Sequence, residues 1–317
     1  MKGIFYLSGE NTCLANFEVK NLLEAEEVDR DVQILIANVR KDCFHRLALT
    51  HEVSKYYTSC NLDELEDVMR EIPVRGRCCV RVVKIRRPDL NSLELEKRLG
   101  GILWRRGCKI DLTNPDTHIR VYVSERCHVG YLIHVTNKKQ FLERHPNKRP
   151  FSMPCVIPPK IGRAMVNITS GKRILDPMCG TGTFLIEAGL MGLDFVGVEA
   201  YEKIVRGCSE NLRFFNLPVN VIRGDARNLP FKDEVFDGIV TDFPYRRSTR
   251  LFGENLVEKA VEEIHRVLID GGKAVMVINV DIDDLIKEYF EIEGKCYQRV
   301  HKSLERRFYI CRKVKKP

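Results

Sequence analysis

From Ile161 onward the sequence alternates strand-like and helix-like segments, and few folds accept that pattern. The strand-like runs are "RILDPMCG", "DFVGVEA", "VNVIRGDA", "GIVTDFPY" and "KAVMVINV", with helical stretches between most of them. Such alternation predicts an α/β unit: a mostly parallel sheet with helices on both faces. A closing pair, "KCYQRVHKS" and "RRFYICRKV", reads as an antiparallel hairpin at one edge of that sheet.

In a parallel sheet, ligands bind beyond the carboxyl ends of the strands. "LDPMCGTGTFLIEA" puts Asp176 at the end of the first strand, Gly180 and Gly182 in the turn, and Glu187 inside the next helix. Glycines let backbone pass close to a ligand. A lone G-x-G also suits a dinucleotide site or a plain tight turn. Glu199 ends the second strand, where a carboxylate can accept hydrogen bonds from both hydroxyls of a ribose. Asp225, followed by the small Ala226, ends the third and can take an adenine amino group. No GxxxxGK[ST] run is present, which argues against a triphosphate. The fourth strand ends in "TDFPYRRST", so Asp242 faces the same crevice, followed by Phe243, Pro244 and Tyr245.

The rest of the chain reads differently. Residues 1–60 run strand ("GIFYLSG"), helix ("LANFEVKNLLEAEEV"), strand ("VQILIANV"), helix ("FHRLALTHEVSKYY"), an α+β unit. Next comes the strand "RCCVRVVKI". In "SLELEKRLGGILWRR", Leu95, Leu99, Ile102 and Leu103 recur at helical spacing, with Ser92 as the expected N-cap. The strands "HIRVYVS" and "VGYLIHV" close that unit. Then "RHPNKRPFSMPCVIPPK" carries five prolines, which marks a stiff linker. Arg144, Lys148, Arg149 and Lys160 sit in or beside it.

Composition narrows the class. At 44% hydrophobic and 30% charged residues the chain reads as soluble and globular, with no run long enough for a membrane span. "MKGIFYLSGE" is too short in its apolar part for a signal peptide and reads as a first strand, so the expected compartment is the cytoplasm. The twelve cysteines are scattered without C-x-x-C spacing, so they read as reduced thiols rather than a zinc site or disulfide framework. A net charge of +8 permits a polyanionic partner.

The acids at successive strand ends with G-x-G resemble the S-adenosylmethionine-dependent methyltransferase fold. That resemblance implies cofactor contacts from Asp176, Met178, Cys179, Gly180, Thr181, Gly182, Glu199, Ala200, Asp225 and Ala226. The donor carries no pyrophosphate, so a full G-x-G-x-x-G is not required. Asp242-Phe243-Pro244-Tyr245 resembles the D-P-P-Y motif of methyltransferases that act on nucleobase amines. An exocyclic amine is a poor nucleophile because its lone pair is delocalised into the ring. A carboxylate at Asp242 and the carbonyl of residue 243 would accept its two N–H bonds and aim the lone pair. Tyr245 would stack on an extruded base. Phe243 stands where the motif has Pro, and Arg246 where relatives carry Gly; Arg246 and Arg247 are candidate phosphate contacts.

Taken whole, the chain resembles the archaeal tRNA guanine-10 N2-methyltransferases along nearly its full length. "LSGENTCLANFEVKNLLE" and "RLALTHEVSKYY" are similar to that family's N-terminal ferredoxin-like unit. "CVRVVKIRR" with "DLTNPDTHIRVYV" is similar to a THUMP domain, and "RPFSMPCVIPPKIGRAMVN" to its linker. The resemblance implies a ferredoxin-like unit over 1–60, a THUMP RNA-binding domain over 61–140, a linker over 141–165 and a Rossmann-like methyltransferase domain over 166–317. It implies methyl transfer to N2 of guanosine 10 in tRNA. The alternatives are the same reaction at guanosine 6, or a non-catalytic THUMP protein that binds tRNA. Candidate RNA contacts are Arg86, Arg87, Arg105, Arg106, Lys109, Arg149 and Lys160. A small zinc-ribbon activator protein, bound at an apolar edge of the methyltransferase sheet, is a further expected partner.

Overall fold

A computed structural model describes residues 1–154, 156–244, 255–301 and 304–315. By contacts the chain forms two units: 1–12, 23–45 and 50–136, then 13–22, 46–49 and 137–317. In chain order the first 136 residues form β1 (Lys2–Leu7), α1 (Thr12–Leu22), β2 (Glu26–Asp31), β3 (Ile34–Asn38), β4 (Thr50–Cys60), α2 (Leu65–Glu71), β5 (Arg77–Lys84), α3 (Ser92–Arg105), β6 (Lys109–Ile110), β7 (Thr117–Val123) and β8 (Cys127–Val135).

The eight strands make one sheet, ordered β2-β3-β1-β4-β8-β7-β5-β6. The boundary expected at residue 60 falls at the end of β4, and β4 pairs along its length with β8 in that sheet. The helix expected over "FHRLALTHEVSKYY" is not formed: Phe44–Arg46 make a single 3-10 turn, and Thr50–Cys60 is a strand held between β1 and β8. Thr, Val and Tyr suit a pleated, half-buried surface, and pairing on both sides overrides the helical spacing. The helix expected to run to Val28 stops at Leu22, and its charged tail becomes the exposed edge strand β2. Helix α3 buries Leu95, Leu99, Ile102 and Leu103 as the spacing predicts. Its cap is Asn91 rather than Ser92, since the Asn91 side chain accepts the Glu94 N–H.

The second unit contains α4 (Lys139–Glu143), α5 (Pro159–Thr169), β9 (Arg173–Asp176), α6 (Thr183–Leu190), β10 (Asp194–Glu199), α7 (Glu202–Phe214), β11 (Val221–Arg223), β12 (Phe236–Asp242), α8 (Leu256–Val267), β13 (Leu268–Ile278), α9 (Asp283–Tyr289), β14 (Glu291–His301) and β15 (Leu304–Arg312). The strand order is β11-β10-β9-β12-β13-β15-β14. Strands β9 to β13 run parallel, and β15 and β14 form the expected antiparallel hairpin at one edge. The prolines of the linker do not prevent α5. Pro159 occupies its first turn, where a missing N–H leaves no helical bond unmade.

Two features of this unit were not expected. Cys13 on α1 and Cys296 on β14 form a disulfide across 283 residues, which corrects the reading of all thiols as reduced. Sequence spacing gives no sign of it, because only the fold brings α1 to β14. The basic linker residues are also not all solvated. Arg144 and Arg163 converge on Glu187, which is fully buried on α6, at 2.7 and 2.8 Å. The Phe141 ring lies under both guanidinium groups. Replacing Glu187 by Gln removes the carboxylate that both buried guanidinium groups share, a cost of about 3–5 kcal/mol. Glu187→Gln therefore lowers Tm by about 10 °C in thermal unfolding followed by circular dichroism; an unchanged Tm contradicts the pairing.

Candidate active site

Strand β9 lies between β10 and β12, and the chain leaves it first toward β10 and β11, then returns to β12 on the other side. The carboxyl ends of β9 and β12 thus flank a topological switch point, where open parallel sheets bind ligands. Asp176 ends β9 and Asp242 ends β12.

The two acids play different structural parts. Asp176 is buried, and its Oδ1 accepts the Met178 N–H at 3.2 Å. Burial holds its carboxyl well above the ordinary range, and the neighbouring Asp242 and Glu199 carboxylates add to this. Asp242 is half-buried and opens onto a cavity of about 960 Å³.

That cavity gathers most of the expected site. Met178, Gly180, Glu199, Ala200, Asp225, Ala226, Asp242 and Pro244 all line it. Glu199 ends β10 and ties the floor together: its Oε2 accepts the Gly180 N–H at 3.1 Å, and its Oε1 accepts the Tyr201 N–H at 3.0 Å. Gly180 has φ +49°, and a Cβ built there meets no atom within 4 Å, so the turn faces open space. Gly182 has φ +86° and sits at the N-cap of α6. Its missing side chain leaves room for the Cys208 thiol, 2.7 Å from where a Cβ would be.

Five expected residues do not line the cavity. Asp176, at the end of β9, and Cys179, Thr181 and Gly182, within the turn, are all buried. The Cys179 N–H bonds to the Val198 carbonyl at 2.9 Å, fixing the turn to β10. Phe243 is 1% exposed and packs in the core with Val261 and Ile264, so it is not a wall of the crevice. Its N–H bonds to the Val277 carbonyl at 2.8 Å. Tyr245, Arg246 and Arg247 lie outside the described residues.

Sequence reasoning missed several lining residues. Phe151, Ser152 and Met153 come from the linker, and Tyr201, Lys203 and Ile204 from the start of α7. Bulky Phe151 and Met153 among prolines were the available signal. Arg227 also lines the cavity and grips Asp225, with Nη2 2.6 Å from Oδ2 and Nε 3.0 Å from both oxygens. That pairing holds the Asp225 carboxyl below its ordinary range, although burial opposes it. Arg149, a candidate RNA contact, is instead buried. It donates to the Arg144 carbonyl and the Thr183 hydroxyl, so it is structural. Arg106 spends its Nη1 on the Met69 and Ile72 carbonyls, and Arg87 pairs with Asp89.

A cavity at the switch point, framed by a glycine turn and acids on successive strands, defines a Rossmann-like methyltransferase, and residues 146–307 match the family of RMKL-like methyltransferase domains. A tRNA (guanine(10)-N2)-dimethyltransferase of Pyrococcus abyssi is 37% identical over 94% of this chain and 95% of its own length. One of Methanothermobacter thermautotrophicus is 36% identical over 99% of this chain and 100% of its own. The chain belongs to the family of these archaeal proteins. Among solved structures, TrmN from Thermus thermophilus shares the fold with a TM-score of 0.54 at 20% identity, over 99% of this chain and 100% of that one.

S-adenosyl-L-methionine is the cofactor, and the residues present fit it. The open face at Gly180 is a cradle that a side chain would fill, and Glu199 presents a carboxylate to the same cavity. Gly180→Val forces a branched residue into a left-handed conformation, at about 1–2 kcal/mol of stability, and puts two methyls into that space. S-adenosylmethionine affinity then falls at least about tenfold by calorimetry, more than the stability loss explains. Wild-type affinity in Gly180→Val contradicts the assignment of this turn.

Proposed function

We propose that the site residues act in methyl transfer to the N2 amine of guanosine 10 in tRNA, and that Asp242 carries the chemistry. The supporting observation is that Asp242 opens onto the same cavity as Gly180 and Glu199, at the switch point between β9 and β12. The names of the two archaeal relatives supply the substrate, and their designation as dimethyltransferases favours two successive additions.

When bound, the cofactor supplies an electrophilic methyl group on a sulfonium. The chain's own residues would hold it with Glu199 toward the ribose, Asp225 toward the adenine, and the Gly180 turn along the middle. Asp242 then accepts one N–H of the guanine amine, and the Phe243 carbonyl accepts the other. The lone pair is thereby turned toward the cofactor's side of the cavity. Positive charge developing on nitrogen is stabilised by a carboxylate already in place, without solvent reorganisation, and the N–H proton that the amine loses passes to Asp242. Beyond that carbonyl, Phe243 supports this without its side chain touching substrate. Its ring is anchored in the core, its N–H is bound to β13, and Pro244 disfavours a helical turn at 243. These fix the backbone as the motif's first proline otherwise would. Guanine N2 lies in the minor groove of paired RNA, so the nucleotide is extruded to reach the site, with Tyr245 as its stacking platform.

Residues 1–60 act in this reading as the ferredoxin-like unit and 61–140 as a THUMP domain that binds tRNA. Trp104, 69% exposed at the end of α3 beside Arg105, supports an RNA-facing surface there. The zinc-ribbon activator is proposed to dock on β11. That strand is one edge of the sheet, and Phe214, Val219 and Ile222 near it are exposed. No described helix is long and apolar enough to cross a membrane, and tRNA-modifying relatives favour the cytoplasm.

The test is turnover with labelled donor and tRNA, followed by nucleoside mapping. The expected product carries methyl on N2 of guanosine 10. Asp242→Ala lowers kcat by about 10³-fold or more while tRNA Kd changes by less than about threefold. Label on adenosine or cytosine, or normal turnover by Asp242→Ala, overturns the proposal.

A further inference from the structure

Helix α7 carries a residue whose bonding is unusual for its place. Asn211 is fully buried, one turn beyond Cys208 on the same helix. Its Oδ1 accepts the Phe151 N–H at 3.0 Å. Its Nδ2 donates to the Phe151 carbonyl at 2.8 Å and to the Thr181 carbonyl at 2.9 Å. One amide thus uses both donors and its acceptor on the backbone of two segments, the linker and the glycine turn. Only an amide side chain offers that set at this length.

The linker segment is fastened a second way. A Cβ built at Gly207 would lie 2.2 Å from the Phe151 ring, so the ring is seated directly on the α7 backbone. Phe151, with Ser152 and Met153 after it, lines the same cavity as Gly180 and Glu199. The wall from the linker and the turn on the floor are therefore registered against each other through one buried side chain.

We propose that Asn211 is a positioning residue for cofactor binding. It holds Phe151–Met153 as a wall of the S-adenosylmethionine site and ties that wall to the Gly180 turn. Binding of the donor and ordering of this wall are then one event. The inference rests on the assignment of the cavity to the donor, and not on which nucleotide is methylated.

Two substitutions test it by different physical routes. Asn211→Asp keeps the shape but removes both donated bonds and turns a carboxylate oxygen on two carbonyls. Gly207→Ala keeps every hydrogen bond and displaces the Phe151 ring. The full-length chain is used, with S-adenosylmethionine itself as the probe. Both variants are expected to bind the donor about tenfold more weakly by calorimetry and to show a KM for the donor raised by about the same factor. At saturating donor, kcat stays within about threefold of wild type. In wild type the donor slows amide exchange in the peptide containing Phe151–Met153, and in the variants that protection is largely lost. A purely structural role predicts lower kcat from a smaller folded fraction with KM unchanged, and that result overturns the inference. Wild-type affinity in both variants also overturns it. Should Asn211→Asp fail to fold, Gly207→Ala alone decides. A wild-type chain that does not bind the donor removes the cofactor assignment as well, which distinguishes the two failures.

Discussion

Two parallel strands that lie side by side, while their chains leave in opposite directions, cannot both be roofed by the loops that follow them. The gap beyond β9 and β12 is that constraint made physical. Asp176 and Asp242 end these strands, yet one is sealed inside the fold and the other opens onto the cavity. The difference follows from what comes next. After Asp176 the chain curls back at once, and its carboxyl is consumed by the Met178 amide. After Asp242 the next side chain plunges into the core, which leaves the carboxyl at the surface of the crevice.

Around that gap the unit commits much of its buried polar chemistry. Glu199 binds two backbone amides, of Gly180 and of Tyr201, from two different loops. Glu187 neutralises Arg144 and Arg163 below it, and Arg149 joins the same layer through Thr183. A buried carboxylate with two guanidinium groups is costly to assemble and more costly to break. Its effect here is to pin the linker that follows Arg144 onto α6, and that linker supplies one wall of the site. Buried Glu18 does comparable work nearby. It accepts the amides of Ala48 and Leu49 and the Asn167 side chain, so α1 and residues 46–49 are fastened to α5.

The second unit was more legible than the first, for a physical reason. Buried parallel strands write continuous apolar runs with acids at their ends, and "FVGVEA" or "GIVTD" can be read directly. Eight of the expected site residues meet in one cavity because strand ends converge there. The first unit is mixed and partly antiparallel, with solvated faces. There "THEVSKYY" carries a helical spacing of apolar residues, yet it becomes β4 because β1 and β8 both pair with it. Phe243 was legible as unusual but not as core, since its burial depends on the packing of a cluster drawn from several elements, α8 and β13 among them. The linker's share of the site was hidden for the same reason. Nothing in "RPFSMP" announces that Asn211, sixty residues away, binds its backbone. The Cys13–Cys296 bridge is the extreme case, with partners at opposite ends of the sequence.

Soaking or co-crystallising the chain with S-adenosylhomocysteine tests the central claim most directly. The sulfur is expected in the cavity between the Gly180 turn and Asp242, with the ribose hydroxyls on Glu199. A ligand bound elsewhere, or one placed here with the Asp242 carboxylate turned away from its sulfur, would contradict it.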